Sequence, residues 1–244
     1  MLNETMTYQY AEQIPEILHS EIPEYVKKSL GLALSGLFPE FASAFPKTIK
    51  IMDSLWSTPR LCAREYFAIG GSVWRVYLAL SREDKNLFFP LNSATAIEDK
   101  DGFDFALRML PRRWSTIYRW FDSFSITTDD SYAIQDRQNT LFRYSGRRDI
   151  EFFRQESGLK KAQVCDVMKS LDIRNPAAFC YWFWNDAGDA LFLDEYKCDQ
   201  KVYHVRSNNI EDITLLADPE NVLDEYLAHI MMGGNPAEFD FRKV

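Results

Sequence analysis

The stretch Phe179-Cys180-Tyr181-Trp182-Phe183-Trp184-Asn185-Asp186-Ala187-Gly188-Asp189-Ala190-Leu191-Phe192-Leu193-Asp194 decides the fold. Its first six residues are almost wholly aromatic, which suits a pleated surface buried by neighbours. Asn185 to Asp189 reads as a turn, because Asn and Asp bond to nearby main chain and Gly188 tolerates positive φ. Ala190 to Asp194 is a second apolar run. Working outward, Lys197 to Gln200 is polar and turn-like, and Val202-Tyr203-His204-Val205 alternates as a third strand. Leu215-Leu216-Ala217-Asp218-Pro219 then leads by a loop into a helix. Asp218 is a suitable N-cap, Pro219 takes the first helical position, and Gly233-Gly234 stop the helix. Leu223, Tyr226, Leu227 and Ile230 make one apolar stripe along it. The pattern predicts an antiparallel meander of short-turned strands closed by a helix.

Upstream, residues 1–22 read as an N-terminal arm. From Ile22 to Phe45 the periodicity is helical, with Tyr25, Val26, Leu30, Leu34, Leu37 and Phe38 on a broad apolar face. Pro39 and Pro46 divide it into shorter helices. Lys47 to Trp56 continues the helical character. Tyr66 to Leu80 reads as strand folded at Gly70-Gly71. Ser81 to Asn86 is a charged turn, and Leu87 to Leu91 a short strand. Phe103 to Leu110 reads as a short helix. After Pro111, Trp114, Ile117, Tyr118 and Phe121 fall at helical spacing. Asp122 to Asp130 is a loop or short strand, and Thr140 to Tyr144 a strand. Helices are expected over Ile150 to Glu156 and Leu159 to Leu171, separated by Gly158. The fold class is therefore α+β: an antiparallel meander packed with helices, carrying an N-terminal α/β extension. The division is 1–22 arm, 23–109 extension and 110–244 core, joined as one globule.

Composition narrows the function. The 244-residue chain can bury a substantial core. Aromatic residues make up 15%, which also points to a large core. Asp and Glu number 36 against 28 Lys and Arg, a formal net charge of −8. That balance disfavours nucleic acid, whose phosphates need Lys and Arg to displace counterions, and fits a basic partner. The four cysteines, Cys62, Cys165, Cys180 and Cys198, form no CxxC pair, so no zinc site and no disulfide framework is expected. No basic segment followed by an apolar run stands near the N-terminus. No stretch approaches the roughly 20 apolar residues that cross a bilayer. A cytoplasmic protein with no membrane partner is expected.

The search for chemistry is empty. The three histidines are His19, His204 and His229, and none neighbours a nucleophile motif. No phosphate loop or dinucleotide fingerprint follows Gly70-Gly71-Ser72. Glu98, Asp99 and Asp101 lack the ligand spacing of a calcium loop, as do Asp129 and Asp130. Asp194-Glu195 reads as a solvated strand end. Arg112-Arg113 and Arg147-Arg148 read as salt-bridge partners or exposed helix ends. No catalytic residue, metal or cofactor is expected.

Gly188-Asp189-Ala190-Leu191-Phe192-Leu193-Asp194, Lys201-Val202-Tyr203-His204-Val205 and Leu216-Ala217-Asp218 with its helix to Met231 resemble the SUKH superfamily of small α+β proteins. Many bacterial members are immunity proteins that neutralise polymorphic toxins. Family members place a glycine-aspartate turn before an apolar strand, follow it with a strand bearing an aromatic, and close on such a helix. Leu110-Pro111-Arg112-Arg113-Trp114 is similar to the Leu-Pro dipeptide that opens the family core. The resemblance implies a non-enzymatic inhibitor that blocks the active site of a basic, secreted toxin such as a nuclease. Steered association would then favour acidic loops as the contact set. The candidates are Glu98, Asp99, Asp101, Asp129, Asp130, Asp186 and Asp189. The alternative is an α+β hydrolase working with carboxylates, marked by a pocket that holds them.

Overall fold

The computed structural model describes residues 9–10, 22, 24–29, 31–68, 71–83, 85–90, 108, 110–120, 123–127, 140–143, 148–156, 158–185, 187–197 and 199–244. The expected helix over 103–110 lies outside this set except for Arg108 and Leu110.

Among the described residues, strand β1 (Gln9–Tyr10) is followed by four short helices: α1 (Glu24–Ser29), α2 (Leu34–Leu37), α3 (Pro39–Ala44) and α4 (Pro46–Leu55). Pro39 and Pro46 each occupy the first turn of a new helix, so the prolines that end one helix start the next. Strands β2 (Arg60–Ala68), β3 (Gly71–Arg82) and β4 (Lys85–Pro90) follow as antiparallel hairpins. Helix α5 (Arg112–Trp120) leads to β5 (Ser123–Thr127) and β6 (Thr140–Arg143). These strands form a six-stranded sheet in the order β1-β2-β3-β4-β5-β6.

The second sheet has the order β11-β10-β9-β8-β7. Its strands are β7 (Arg148–Asp149), β8 (Phe179–Trp184), β9 (Asp189–Asp194), β10 (Val202–Arg206) and β11 (Asn209–Leu215). Helices α6 (Ile150–Glu156) and α7 (Lys161–Ser170) lie between β7 and β8, and α8 (Pro219–Met231) follows β11. All pairings within both sheets are antiparallel. The α+β class and the meander are as the sequence indicates.

The second sheet is buried on both faces, and side-chain alternation shows how. Phe179, Tyr181, Ala190, Phe192, Tyr203 and Val205 pack with Ile150 and Phe153 of α6 and Val164, Val167 and Met168 of α7. Trp182, Phe183, Leu191, Leu193 and Val202 face the other way, onto α8. Burial on both sides explains why β8 and β9 read as continuous apolar runs. A bulge between Tyr181 and Phe183 breaks the period of two, so the successive aromatics Trp182 and Phe183 share one core.

That core extends into the first sheet. Leu61, Val76, Leu78, Leu80, Leu87 and Phe89 alternate with residues of the opposite face, such as Tyr77 and Phe88. They join Phe41, Met52, Trp114, Leu223 and Leu227 in one cluster that runs from Ile22 to Phe241. Elements on either side of residue 110 thus share a single core.

Two expectations are corrected. Residues 209–215, where no strand is expected, form the seven-residue strand β11 against β10. The adjacent acids Glu211 and Asp212 hide its alternation. Asp194, read as solvated, is 3% exposed. Its Oδ1 accepts from the Tyr196 N–H at 3.1 Å, and Glu195 accepts from the Trp182 indole N–H at 3.0 Å. The aromatic sheet draws the strand end inward.

Candidate functional site

Helix α8 organises the polar chemistry of the interior. Asp218 caps it, accepting from the Asn221 N–H at 3.1 Å. Its C-terminal carbonyl, Met231 O, accepts from the Trp56 indole at 3.1 Å and from Arg82 Nη1 at 3.0 Å. Near the other end, Pro219 O accepts from the Trp114 indole at 3.1 Å. Two carboxylates one helical turn apart then serve other helices. Glu220 Oε1 accepts from the Arg113 N–H at the start of α5 at 2.9 Å. Asp224 accepts from the main chain of Lys47 and Thr48 at the start of α4, at 3.1 and 2.9 Å.

The second polar cluster sits where β9 begins. Asn185 Oδ1 accepts from the Asp189 N–H at 2.9 Å, closing the turn that the sequence indicates. Gly188 has φ +85°, and a Cβ there would lie 2.1 Å from Ser207 Oγ. Only glycine fits both the conformation and the approach of the β10–β11 turn. Asp189 then points inward rather than to solvent. Its Oδ1 accepts from Arg206 Nε at 3.0 Å and pairs with His204 Nε2 at 2.8 Å. Register explains the pairing: Arg206 lies directly opposite Asp189 on β10, and His204 lies two residues away on the same face. Asn185 Nδ2 donates to Asp189 Oδ2 at 3.3 Å and to Tyr226 Oη at 3.1 Å, tying the cluster to α8. Burial pushes the Asp189 carboxyl up, but the hydrogen bonds and charges of His204 and Arg206 outweigh it and hold the group below its ordinary value.

His204 is 4% exposed, and among the described residues its Nδ1 has no hydrogen-bond partner. The ring stacks on Phe241 at 4.7 Å between centroids. Phe241 also contacts Phe183, Tyr226 and Phe239, so the C-terminal segment seals this end of the core. The Asp–His geometry is that of a base and its orienting group, yet the imidazole is closed off from solvent.

The sequence-derived contact set fares unevenly. Glu98, Asp99, Asp101, Asp129, Asp130 and Asp186 lie outside the described residues. Asp189 is corrected: at 0% exposure, with its carboxylate bonded on both oxygens, it cannot meet a partner. Its partners were not foreseen, although counting back along the β9–β10 hairpin would have placed Arg206 opposite it. A groove of about 820 Å³ between α3 and α5 was also unforeseen. Glu40, Ser43, Arg112, Arg113, Thr116 and Glu220 line it, and Arg113 Nε lies 3.6 Å from Glu220. The Arg112-Arg113 pair thus stands at a helix start, with Arg113 in an ion pair.

Among the described residues no three His, Cys, Asp or Glu side chains are grouped to hold a metal ion. Cys62 and Cys180 are buried free thiols, Cys165 is exposed, and burial pushes the Cys62 thiol up to about 12. Among the described residues no helix is long and apolar enough to cross a membrane. No protein-family model matches the chain, and no curated protein or solved structure is significantly similar to it.

Proposed function

We propose that the protein is a non-enzymatic immunity protein of the cytoplasm that binds a basic toxin and blocks its active site. The observation that carries this reading is that, among the described residues, Asp189, His204, Asp224 and Glu220 are committed to the fold. Asp189 and His204 hold each other inside the second sheet, while Asp224 and Glu220 cap helices. The resemblance of β9, β10 and α8 to the SUKH superfamily supports the same reading.

The formal charge of −8 supplies the recognition. A toxin that acts on a polyanion carries Lys and Arg in its active site, and an acidic inhibitor is steered toward it. Carboxylates then stand in for substrate phosphates. The acidic segments holding Glu98, Asp99, Asp101, Asp129, Asp130 and Asp186 are the proposed contacts.

The test is co-expression with the product of the adjacent gene. A stoichiometric complex that relieves that product's toxicity is expected. Absence of a complex, or reproducible hydrolysis of an ester, phosphoester or peptide by the purified protein, overturns the reading.

A further inference from the structure

Helices α3 and α5 pack against one another, and the groove between them has a volume of about 820 Å³. That size lies within the range of small-molecule sites, roughly 300–1,000 Å³. Its polar lining falls into two sets. The first is satisfied within the chain. Glu220 Oε1 accepts from the Arg113 N–H at 2.9 Å, Glu220 Oε2 lies 3.6 Å from Arg113 Nε, and Ser115 Oγ donates to Arg112 O at 2.7 Å. The second set has no partner among the described residues. It comprises the carboxylate of Glu40 and the hydroxyl of Ser43 on α3, and the guanidinium of Arg112 and the hydroxyl of Thr116 on α5.

Opposite charges on adjoining helices attract, and the Arg113–Glu220 pair shows that side chains here close on each other when within reach. Glu40 and Arg112 line the same groove without pairing. A ligand of one charge would satisfy one of them and be repelled by the other. The complement of the set is a cation for Glu40, a carboxylate for Arg112, and hydrogen-bonding groups between them for Ser43 and Thr116. No aromatic residue lines the groove among the described residues, so a nucleobase has no ring to stack on.

We propose that this groove binds the zwitterion of an amino acid or short peptide, with the amine on Glu40 and the carboxylate on Arg112. The planar guanidinium matches a carboxylate with two parallel donors. A peptide main chain also brings N–H and C=O groups to Ser43 and Thr116, which a free amino acid lacks. The proposal goes beyond toxin binding and does not rest on it, so neither result decides the other.

The test is isothermal titration calorimetry of the full chain with glycine and with triglycine. Controls are N-acetyl-triglycine, triglycine amide and inorganic phosphate. Triglycine is expected to bind with a Kd below about 1 mM. Blocking either end should weaken binding roughly tenfold, the loss of one charge-assisted hydrogen bond. Glycine binding more weakly than triglycine assigns a peptide; equal binding assigns a free amino acid, and both uphold the zwitterion. Glu40→Gln and Arg112→Gln should each weaken triglycine roughly tenfold, and both side chains are exposed, so neither change removes core packing. Combining Glu40→Arg with Arg112→Glu should restore binding, because a zwitterion can enter reversed. The blocked peptides test the proposal without any variant. No binding of glycine or triglycine at about 1 mM overturns it. So does equal binding of the blocked and free peptides, or phosphate binding as tightly as triglycine.

Discussion

Asp224, in the middle of α8, caps the start of α4 through Thr48. The Thr48 N–H and Oγ1 both donate to Asp224 Oδ1, at 2.9 and 2.7 Å, and Thr48 Oγ1 also lies 3.0 Å from Asp224 O. The N-cap of α4, Phe45, offers no side-chain acceptor, so Asp224, 176 positions from Thr48, supplies what the local sequence lacks.

Asp224 is 1% exposed. Asp224→Ala leaves the main-chain donors of Lys47 and Thr48 without their acceptor, while the Thr48 hydroxyl keeps only the Asp224 carbonyl. It is expected to cost about 2–3 kcal/mol, combining a lost cap with buried unsatisfied donors. Asp224→Asn keeps one oxygen and should lose less. Urea unfolding measures both; a change below about 0.5 kcal/mol, the scale of ordinary surface substitutions, would detach α4 from this carboxylate.

Asp189 makes stability depend on acid. Its carboxyl titrates lower in the folded protein than in the unfolded chain. Its contribution is therefore present above the unfolded value, about 3.9, and is lost as pH falls through the folded value. Asp240, held at about 2 by Arg242, adds a second acid-sensitive group in the same direction. Comparison with Asp189→Asn isolates the first. The stability gap between wild type and this variant should narrow as pH drops below about 4. A gap constant down to acid unfolding would show that the His204–Arg206 pairing does not favour the ionised form.

Two glycines share positive φ but not surroundings. Gly158 has φ +67° with nothing within 4 Å of a built Cβ, whereas Gly188 has φ +85° with Ser207 Oγ at 2.1 Å. Gly158→Ala should cost about 1 kcal/mol for conformation alone. Gly188→Ala should cost more, and adding Ser207→Ala should restore part of the excess. Equal thermal unfolding of the two single variants would mean that the β10–β11 turn yields without cost.

The sequence by itself determined most of the elements. Runs of aromatics, the Asn-to-Gly turn at residues 185–188 and the Asp218-Pro219 start of α8 are local signals, and each maps to a strand, turn or cap in place. Strand β11 escaped because Glu211 and Asp212 interrupt its alternation, and only pairing with β10 defines it. The fate of the carboxylates was decided by tertiary structure. An aspartate at a turn looks solvated from its neighbours alone. Asp189 is buried because hairpin register brings Arg206 and His204 to it, and Asp224 is buried because α4 arrives with uncapped N–H groups. Periodicity reports which face of an element is apolar. Which distant donor meets a given acceptor depends on how the elements stack, and no stretch of sequence carries that distance.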